Sequence, residues 1–358
     1  MVNVWVALWG RYERHISAAG LLVGFLLDIV IADRPDSIPN NLLLLFYLLA
    51  AGFLIIILNR REMRRLEAQH SAEPLFLLFA LQVFFGGLAS NLLVLYGRSG
   101  TLAGSALFLG ALAAMLVGNE FLKTRYAQLR FNVAVFYFLL LSYCIIAVPT
   151  FFTHTVGIGT FLLSGLASLA IIGLFLALMH FFVFRRNSTR SASAAYVVGT
   201  VFVVFNLLYF LNIIPPVPLS LRESGIYHSL LRRADGAYVA LYEAPRWSEF
   251  WRSTSGFYTL AEGKSAFCYS SVFAPADLMT PIYHRWEYMT GSKWDTRSLV
   301  SFPISGGRAE GYRGFSVKSN LEPGRWRCNV ETAQGALIGR AGFTVVENVA
   351  PELSQTVL

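Results

Sequence analysis

Charge is scarce in this chain, and so is cysteine. Of 358 residues, 14% are Asp, Glu, Lys or Arg while 55% are hydrophobic, and the mean hydropathy is +0.54. Soluble globular chains carry about 25% charged residues, so this composition excludes an ordinary soluble domain. The three cysteines, Cys144, Cys268 and Cys328, form no CxxC pair, and the six histidines are scattered. Zinc sites need closely spaced thiolate and imidazole ligands, so no metal site is predicted. No GxSxG elbow frames a nucleophile. Gly306, Gly307 and Gly311 precede a strand-like segment and not a helix, so they read as a loop and not as a phosphate cradle at a helix start; no cofactor is predicted. Clustered basic residues are lacking as well: residues 217–358 hold 15 Lys and Arg against 13 Asp and Glu. Nucleic-acid partners require a concentrated basic face and are excluded on that ground.

What the chain has is long apolar runs. A helix crossing a bilayer needs about 20 apolar residues, and seven stretches meet that need: 15–32, 41–58, 74–96, 101–122, 131–152, 156–184 and 194–214. In lipid each must close its own backbone hydrogen bonds, so they are predicted as helices. The first follows Arg11 and Arg14 and runs into Asp33-Arg34-Pro35 without a small-residue cleavage site, which reads as a retained signal-anchor.

Basic residues alternate across these runs. Arg11 and Arg14, then Arg60, Arg61, Arg64 and Arg65, then Lys123, Arg125 and Arg130, then Arg185, Arg186 and Arg190 fall in one set of loops. The other set has only Arg34 and Arg98. The positive-inside rule therefore places the N-terminus in the cytoplasm and the region after 216 across the membrane. The lipid bilayer is the first partner implied.

Helices in lipid associate through small residues. Gly20 and Gly24 share a face that Asp28 continues. Ala106, Gly110, Ala114 and Gly118 recur every four residues, and the sixth run has Gly165, Gly173 and Ala177. Packing within one bundle is the simple expectation; a homo-oligomer or a partner subunit is the sharper one. Asp28 is expected to pack or snorkel near a helix end, with proton or ion handling as the alternative. Asn206, Tyr209 and Asn212, spaced by three, are expected on one face, hydrogen-bonded to a neighbouring helix.

Hydropathy falls after Pro215-Pro216-Val217-Pro218, a run that ends a helix. Strands are predicted at 226–233 and 237–243 around an Asp235-Gly236 turn, and at 265–273, 281–289, 298–303, 312–318, 325–332 and 336–347. In Arg325–Glu331, Trp326, Cys328 and Val330 alternate with Arg325, Arg327 and Asn329. The fold class predicted is a seven-helix transmembrane bundle over 1–216 with a C-terminal all-β sandwich of immunoglobulin-like architecture. The expected divisions are a membrane-proximal linker at 217–263, with a hairpin and the aromatic segment of Trp247, Phe250, Trp251, Phe257 and Tyr258, a sandwich core at 264–347, and a tail at 348–358. His284, Trp286 and Tyr288 share one strand face with Ile282, which favours a partly buried histidine over a catalytic one. Tyr283, Trp286, Tyr288 and Trp294 offer a binding platform or core, and Trp326 joins the tentative binding set.

The strings IPPVPLSLRESGIYHS from Ile214, YHRWEY, FPISGGRAEGYRGF and PGRWRCNVETAQGALIGRAGFTV resemble the bacterial domain-of-unknown-function family numbered 2914 over about 217–347. His284 and Trp286 of the HxW element and Pro323–Arg327 carry the resemblance most specifically. It implies architecture and bacterial origin, and no activity. Cys328 stands where the family more usually has an aliphatic residue, which raises a pairing with Cys268 across an oxidising compartment.

The first functional expectation is a non-catalytic bacterial inner-membrane protein whose bundle anchors a periplasmic sandwich that binds an envelope component or a membrane-complex subunit. One alternative is a small-molecule or lipid receptor or transporter using Asp28 or the Asn206/Asn212 face. Another is an envelope hydrolase or transferase acting through His284.

Overall fold

A computed structural model describes residues 34–68, 75–121, 128–184, 188–234, 236–249, 252–260, 265–308, 310–347 and 352–358, with Leu26, Asp28, Ile29 and Ala32 before them. The chain divides into two compact units. One is helical. The other contains Pro215–Leu358 together with the loops Arg98–Gly104 and His154–Gly157.

Six helices lie among the described residues, not seven: α1 (Ile38–Ala68), α2 (Leu75–Gly97), α3 (Leu102–Phe121), α4 (Leu129–Val148), α5 (Ile158–Met179) and α6 (Ser188–Phe210). The expected first run, with Gly20 and Gly24, falls outside the described residues apart from the four named above. Five helices are long and apolar enough to cross a membrane; within α3 the apolar stretch described is the shorter Gly104–Val117.

The centre of the helical unit is α4. Sixteen of its residues, from Asn132 to Val148, are buried, which explains why its sequence is apolar all round and not striped. Phe108 of α3, Phe138 of α4 and Phe205 of α6 form one ring cluster with centroids 4.9–5.8 Å apart. Pro149 lacks an N–H and cannot continue the α-helical ladder. The chain there widens into a π-turn over Pro149–Thr153, and Thr150 Oγ1 donates to the Ile146 carbonyl at 2.6 Å.

Small residues pack this unit, but not those of the α3 stripe. Gly87 lies against the Tyr47 ring, where an added Cβ would sit 2.7 Å from it, and Gly165 lies against Phe202 at 3.1 Å. Gly110 has open space at that position, and Ala106 and Ala114 are exposed. Among the described residues, then, no helix of the bundle is seated on Gly110 or Ala114, against the expectation for that stripe. Gly118 lies on α3, and its surroundings are not among those described.

Among the described residues the β unit has eleven strands: β1 (Ser220–Tyr227), β2 (Ser229–Arg232), β3 (Tyr238–Tyr242), β4 (Phe257–Leu260), β5 (Ala266–Phe273), β6 (Met279–Thr290), β7 (Lys293–Ser305), β8 (Tyr312–Lys318), β9 (Gly324–Thr332), β10 (Leu337–Glu347) and β11 (Ser354–Val357). They form a sheet of order β1-β5-β8, a sheet of order β4-β10-β9-β6-β7, and a small sheet of order β11-β3-β2. Residues 217–263 are not a separate linker. β1 pairs antiparallel with β5, β4 pairs parallel with β10, and the expected hairpin forms as β2 with β3. The expected tail supplies β11, which pairs with β3.

Tyr258 of the aromatic segment is a core residue packed with Trp286, Trp326, Phe343 and Cys268, whereas Trp247 is 92% exposed. Phe250 and Trp251 lie outside the described residues. Where loops meet the sheets, glycine is required by close approach: a Cβ on Gly306 would fall 1.6 Å from the Pro275 carbonyl oxygen.

Candidate functional site

Strand period two divides the functional candidates between two faces of the five-stranded sheet. In β6, Ile282, His284 and Trp286 point inward. Their neighbours on β9 by register are Thr332, Val330 and Cys328. Arg285 and Glu287 point to the opposite, outer face, where they meet Asn329 and Arg327.

The inner face holds a polar knot inside an apolar core. His284 and Trp286 are both 0% exposed. One ring nitrogen of His284 is 2.8 Å from Ser270 Oγ, and the other is 2.9 Å from Ser316 Oγ. Trp286 Nε1 donates to the same Ser316 oxygen at 2.9 Å. A neutral imidazole suits this setting, donating through one nitrogen and accepting through the other. Burial disfavours the cation and pushes the His284 pKa down to about 4. Because Ser270 lies on β5 and Ser316 on β8, the histidine links the two sheets.

A disulfide does the same. Cys268 of β5 and Cys328 of β9 are bonded, with Cα atoms 6.5 Å apart. Donor atoms of Cys268, His284 and Cys328 lie within 4.8 Å of one another, a grouping that suggests a metal site. With the two sulfurs bonded to each other and both imidazole nitrogens engaged by serine, the donor set is occupied by the protein itself. Trp326 is also inside, 2% exposed, and donates from Nε1 to the Glu322 carbonyl at 2.8 Å. Three of the four aromatic or imidazole groups expected in a binding set, His284, Trp286 and Trp326, are thus core and not a platform.

The fourth, Trp294, belongs to the outer face, and it has company that sequence reasoning did not foresee. The Arg327 guanidinium lies 4.2 Å from its ring centroid and that of Arg325 5.9 Å. Arg327 Nε donates to Glu287, whose same oxygen accepts from Asn329 Nδ2 at 2.7 Å. Arg340 Nε donates to Asn329 Oδ1 at 2.7 Å, and Arg285 Nε to Glu331 at 2.8 Å. Glu287, Asn329 and Glu331 are buried, and Leu299, opposite Arg285 on β7, is 49% exposed. Four arginines face two carboxylates here, so the ladder keeps a positive excess while its geometry is fixed. The alternation in Arg325–Glu331 signalled one half of it; the β6 partners required the strand order.

In the helical unit Asp28 is buried and its side chain is hydrogen-bonded to those of Ser90 and Asn91. It packs inward and does not snorkel. Asn91 also exchanges amide hydrogen bonds with Asn40, at 2.7 and 3.2 Å, a pairing 51 residues apart with no sequence signal. Asn206 and Asn212 do not share a helix face. Asn206 Nδ2 donates to Phe202 O of its own helix at 2.8 Å, and Asn212 lies beyond the end of α6 with φ 55°. Tyr209 between them stacks on Phe161, centroids 3.6 Å apart.

Residues 279–345 match the family model described as "Protein of unknown function (DUF2914)". The match spans most of β6–β10 and takes in the HxW and PGRWR elements, over a shorter span than the resemblance suggested. No curated protein matches the chain. Among solved structures, similarity is found to a beta-glucosidase from Listeria innocua in complex with gluconolactone, at 13% identity and TM-score 0.20, over 32% of this chain and 17% of that one. A second is the Pseudomonas fluorescens alkylpurine DNA glycosylase AlkC bound to DNA containing an abasic site analog, at 11% identity and TM-score 0.22, over 87% of this chain and 99% of that one. Such low TM-scores do not indicate a shared fold.

Proposed function

We propose that this chain is a bacterial inner-membrane binding protein whose helices anchor a β region on the periplasmic side, and that the outer face of the five-stranded sheet docks a protein component of the envelope or of a membrane complex. The observation that carries the reading is Trp294, held between arginines on a pre-ordered ladder with Leu299 exposed beside it. Tryptophan and arginine dominate the energetics of protein interfaces, and side chains already fixed lose less entropy on binding. The orientation is supported by the arginine asymmetry and by the composition of the second compact unit. That unit takes in Arg98–Gly104 and His154–Gly157, which belong to the loops poor in basic residues.

A buried disulfide fits an oxidising compartment. An intersheet disulfide with Trp286 packed beside Cys328 also favours an immunoglobulin-like sandwich. The hydrolase reading is weakened, because its histidine is enclosed, neutral and already engaged on both nitrogens. The receptor or transporter reading keeps one specific observation, the Asp28–Asn91–Asn40 cluster.

Purification of the full chain in mild detergent, followed by native mass spectrometry, should return a stoichiometric partner that Trp294→Ala releases without changing the unfolding midpoint. A partner-free monomer, or a partner retained equally by Trp294→Ala, would contradict the proposal.

A further inference from the structure

A second surface feature, on strands remote in sequence from Trp294, has its own chemistry. A cleft of about 780 Å³ is lined by the hairpin that joins β2 to β3 and by the loop that enters β8. Its lining contains three arginines, Arg232, Arg308 and Arg313, and one carboxylate, Glu310. Tyr238 and Tyr312 complete the part that matters for recognition. The volume is that of a small-ligand site.

The arginines are placed differently. Arg313 Nη2 lies 2.7 Å from Glu310 Oε2, in a pair whose glutamate side chain is 80% exposed. Such a pair is weak and readily exchanged for a better-placed anion. The Arg308 guanidinium sits 5.5 Å from the Tyr312 ring centroid on an exposed side chain, and a guanidinium stacked on a ring can still bind an oxyanion through its N–H edge. Arg232 is exposed on the last residue of β2. Among the described lining residues three guanidinium groups stand against one carboxylate; Arg313 is met by Glu310 and, electrostatically, by Glu223, which leaves Arg308 and Arg232 as the two groups offered to an anion.

The walls are shaped for this. Gly311 adopts φ +89° and its missing Cβ leaves room for Ser271 Oγ, which would otherwise be 2.6 Å away. Ser271 Oγ in turn donates to the Glu310 carbonyl, so the loop between Arg308 and Arg313 of β8 is tied down to β5. Tyr238 is held by rings of Tyr269 and Phe315, at 6.1 and 5.8 Å.

We infer that this cleft binds a dianionic phosphate monoester. Guanidinium forks match tetrahedral oxyanions in bidentate geometry, and a phosphomonoester carries about −1.5 to −2 charges at neutral pH, which balances the charges of Arg308 and Arg232. A single carboxylate would leave one arginine unpaired. The phosphate can belong to a soluble ester or to a lipid headgroup, and the chemistry of recognition is the same. The inference is independent of partner binding at Trp294, and loss of one leaves the other standing.

The test uses the full chain in neutral detergent at physiological salt. In one arm sn-glycerol 3-phosphate is titrated calorimetrically. In the other, micelles are doped with phosphatidic acid and retention is read by native mass spectrometry. Saturable one-to-one binding in either arm is expected, identifying a soluble ester or a headgroup respectively. Arg308→Ala and Arg232→Ala should each weaken it about tenfold or more, with the unfolding midpoint unchanged because both side chains are exposed. Arg297→Ala, which removes a charge on β7 outside the cleft, should leave affinity within about twofold. No saturable binding in either arm, or an equal loss in Arg297→Ala, would overturn the inference.

Discussion

The two units of this chain bury polar side chains in opposite ways. In the helical unit a hydroxyl or amide most often turns back to a carbonyl one turn earlier on its own helix: Asn59 to Ile55, Ser142 to Phe138, Ser164 to Thr160, Asn206 to Phe202. In the β unit the partners are remote: His284 with Ser316, Glu287 with Arg327 and Asn329, Arg285 with Glu331. A helix offers each side chain a local acceptor, and in lipid that acceptor is always present. A strand offers none on its own face, so its polar groups must be met by another strand or by the facing sheet. Polar groups in the β unit therefore hold the fold together across long sequence distances, while those in the helices mostly satisfy themselves.

That contrast sets an order of effects. Trp286→Ala should be the most damaging change, since it empties the core beside the disulfide and removes one of the two hydrogen bonds at Ser316 Oγ. A loss of about 3–5 kcal/mol is expected, read from unfolding of the β unit by tryptophan fluorescence in detergent. Next comes acid. His284 titrates near 4 when folded and near 6.5 when unfolded. As the pH falls through that window the unfolded chain binds a proton that the folded chain refuses. Stability is full above pH 6.5 and declines toward pH 4, by up to about 3 kcal/mol. In His284→Gln this part of the pH dependence should vanish; an unchanged slope would remove the buried neutral histidine from the account.

Glu287→Ala strips Arg327 and Asn329 of their shared acceptor and should cost about 1–3 kcal/mol. The smallest effect is expected in the helices. Asn206→Leu removes a side chain that bonds back to Phe202 of its own helix, and a change below about 1 kcal/mol follows. If Asn206→Leu proved as costly as Glu287→Ala, the contrast between the units would fail.

The same contrast explains how much of the fold is legible in the sequence. Hydropathy is a local property, so the runs at 41–58, 74–96, 131–152 and 156–184 anticipate α1, α2, α4 and α5 closely. Alternation is local too, and in Arg325–Glu331 it separated Trp326 and Cys328 from Arg327 and Asn329 correctly. Apart from the Cys268–Cys328 pairing, contacts that depended on a distant partner were not legible. Asn40 meets Asn91 from another helix, Glu287 meets Arg327 only because β6 lies beside β9, and the arginine cleft is assembled from the β2–β3 hairpin and the loop before β8. The stripe of Gly110 and Ala114 misled for a related reason. Spacing reveals that small residues share a face, but not which way the face points, and the close helix contact is at Gly87 against Tyr47.

The central claim is that the helices span a bilayer and leave the β unit on the side opposite the arginine-rich loops. Single cysteines introduced at Lys293, in the β unit, and at Arg64, in an arginine-rich loop, can be probed with a membrane-impermeant maleimide on sealed vesicles of known orientation. The account predicts that Lys293→Cys is labelled only in right-side-out vesicles and Arg64→Cys only in inverted ones. Labelling of both positions from the same side would contradict it.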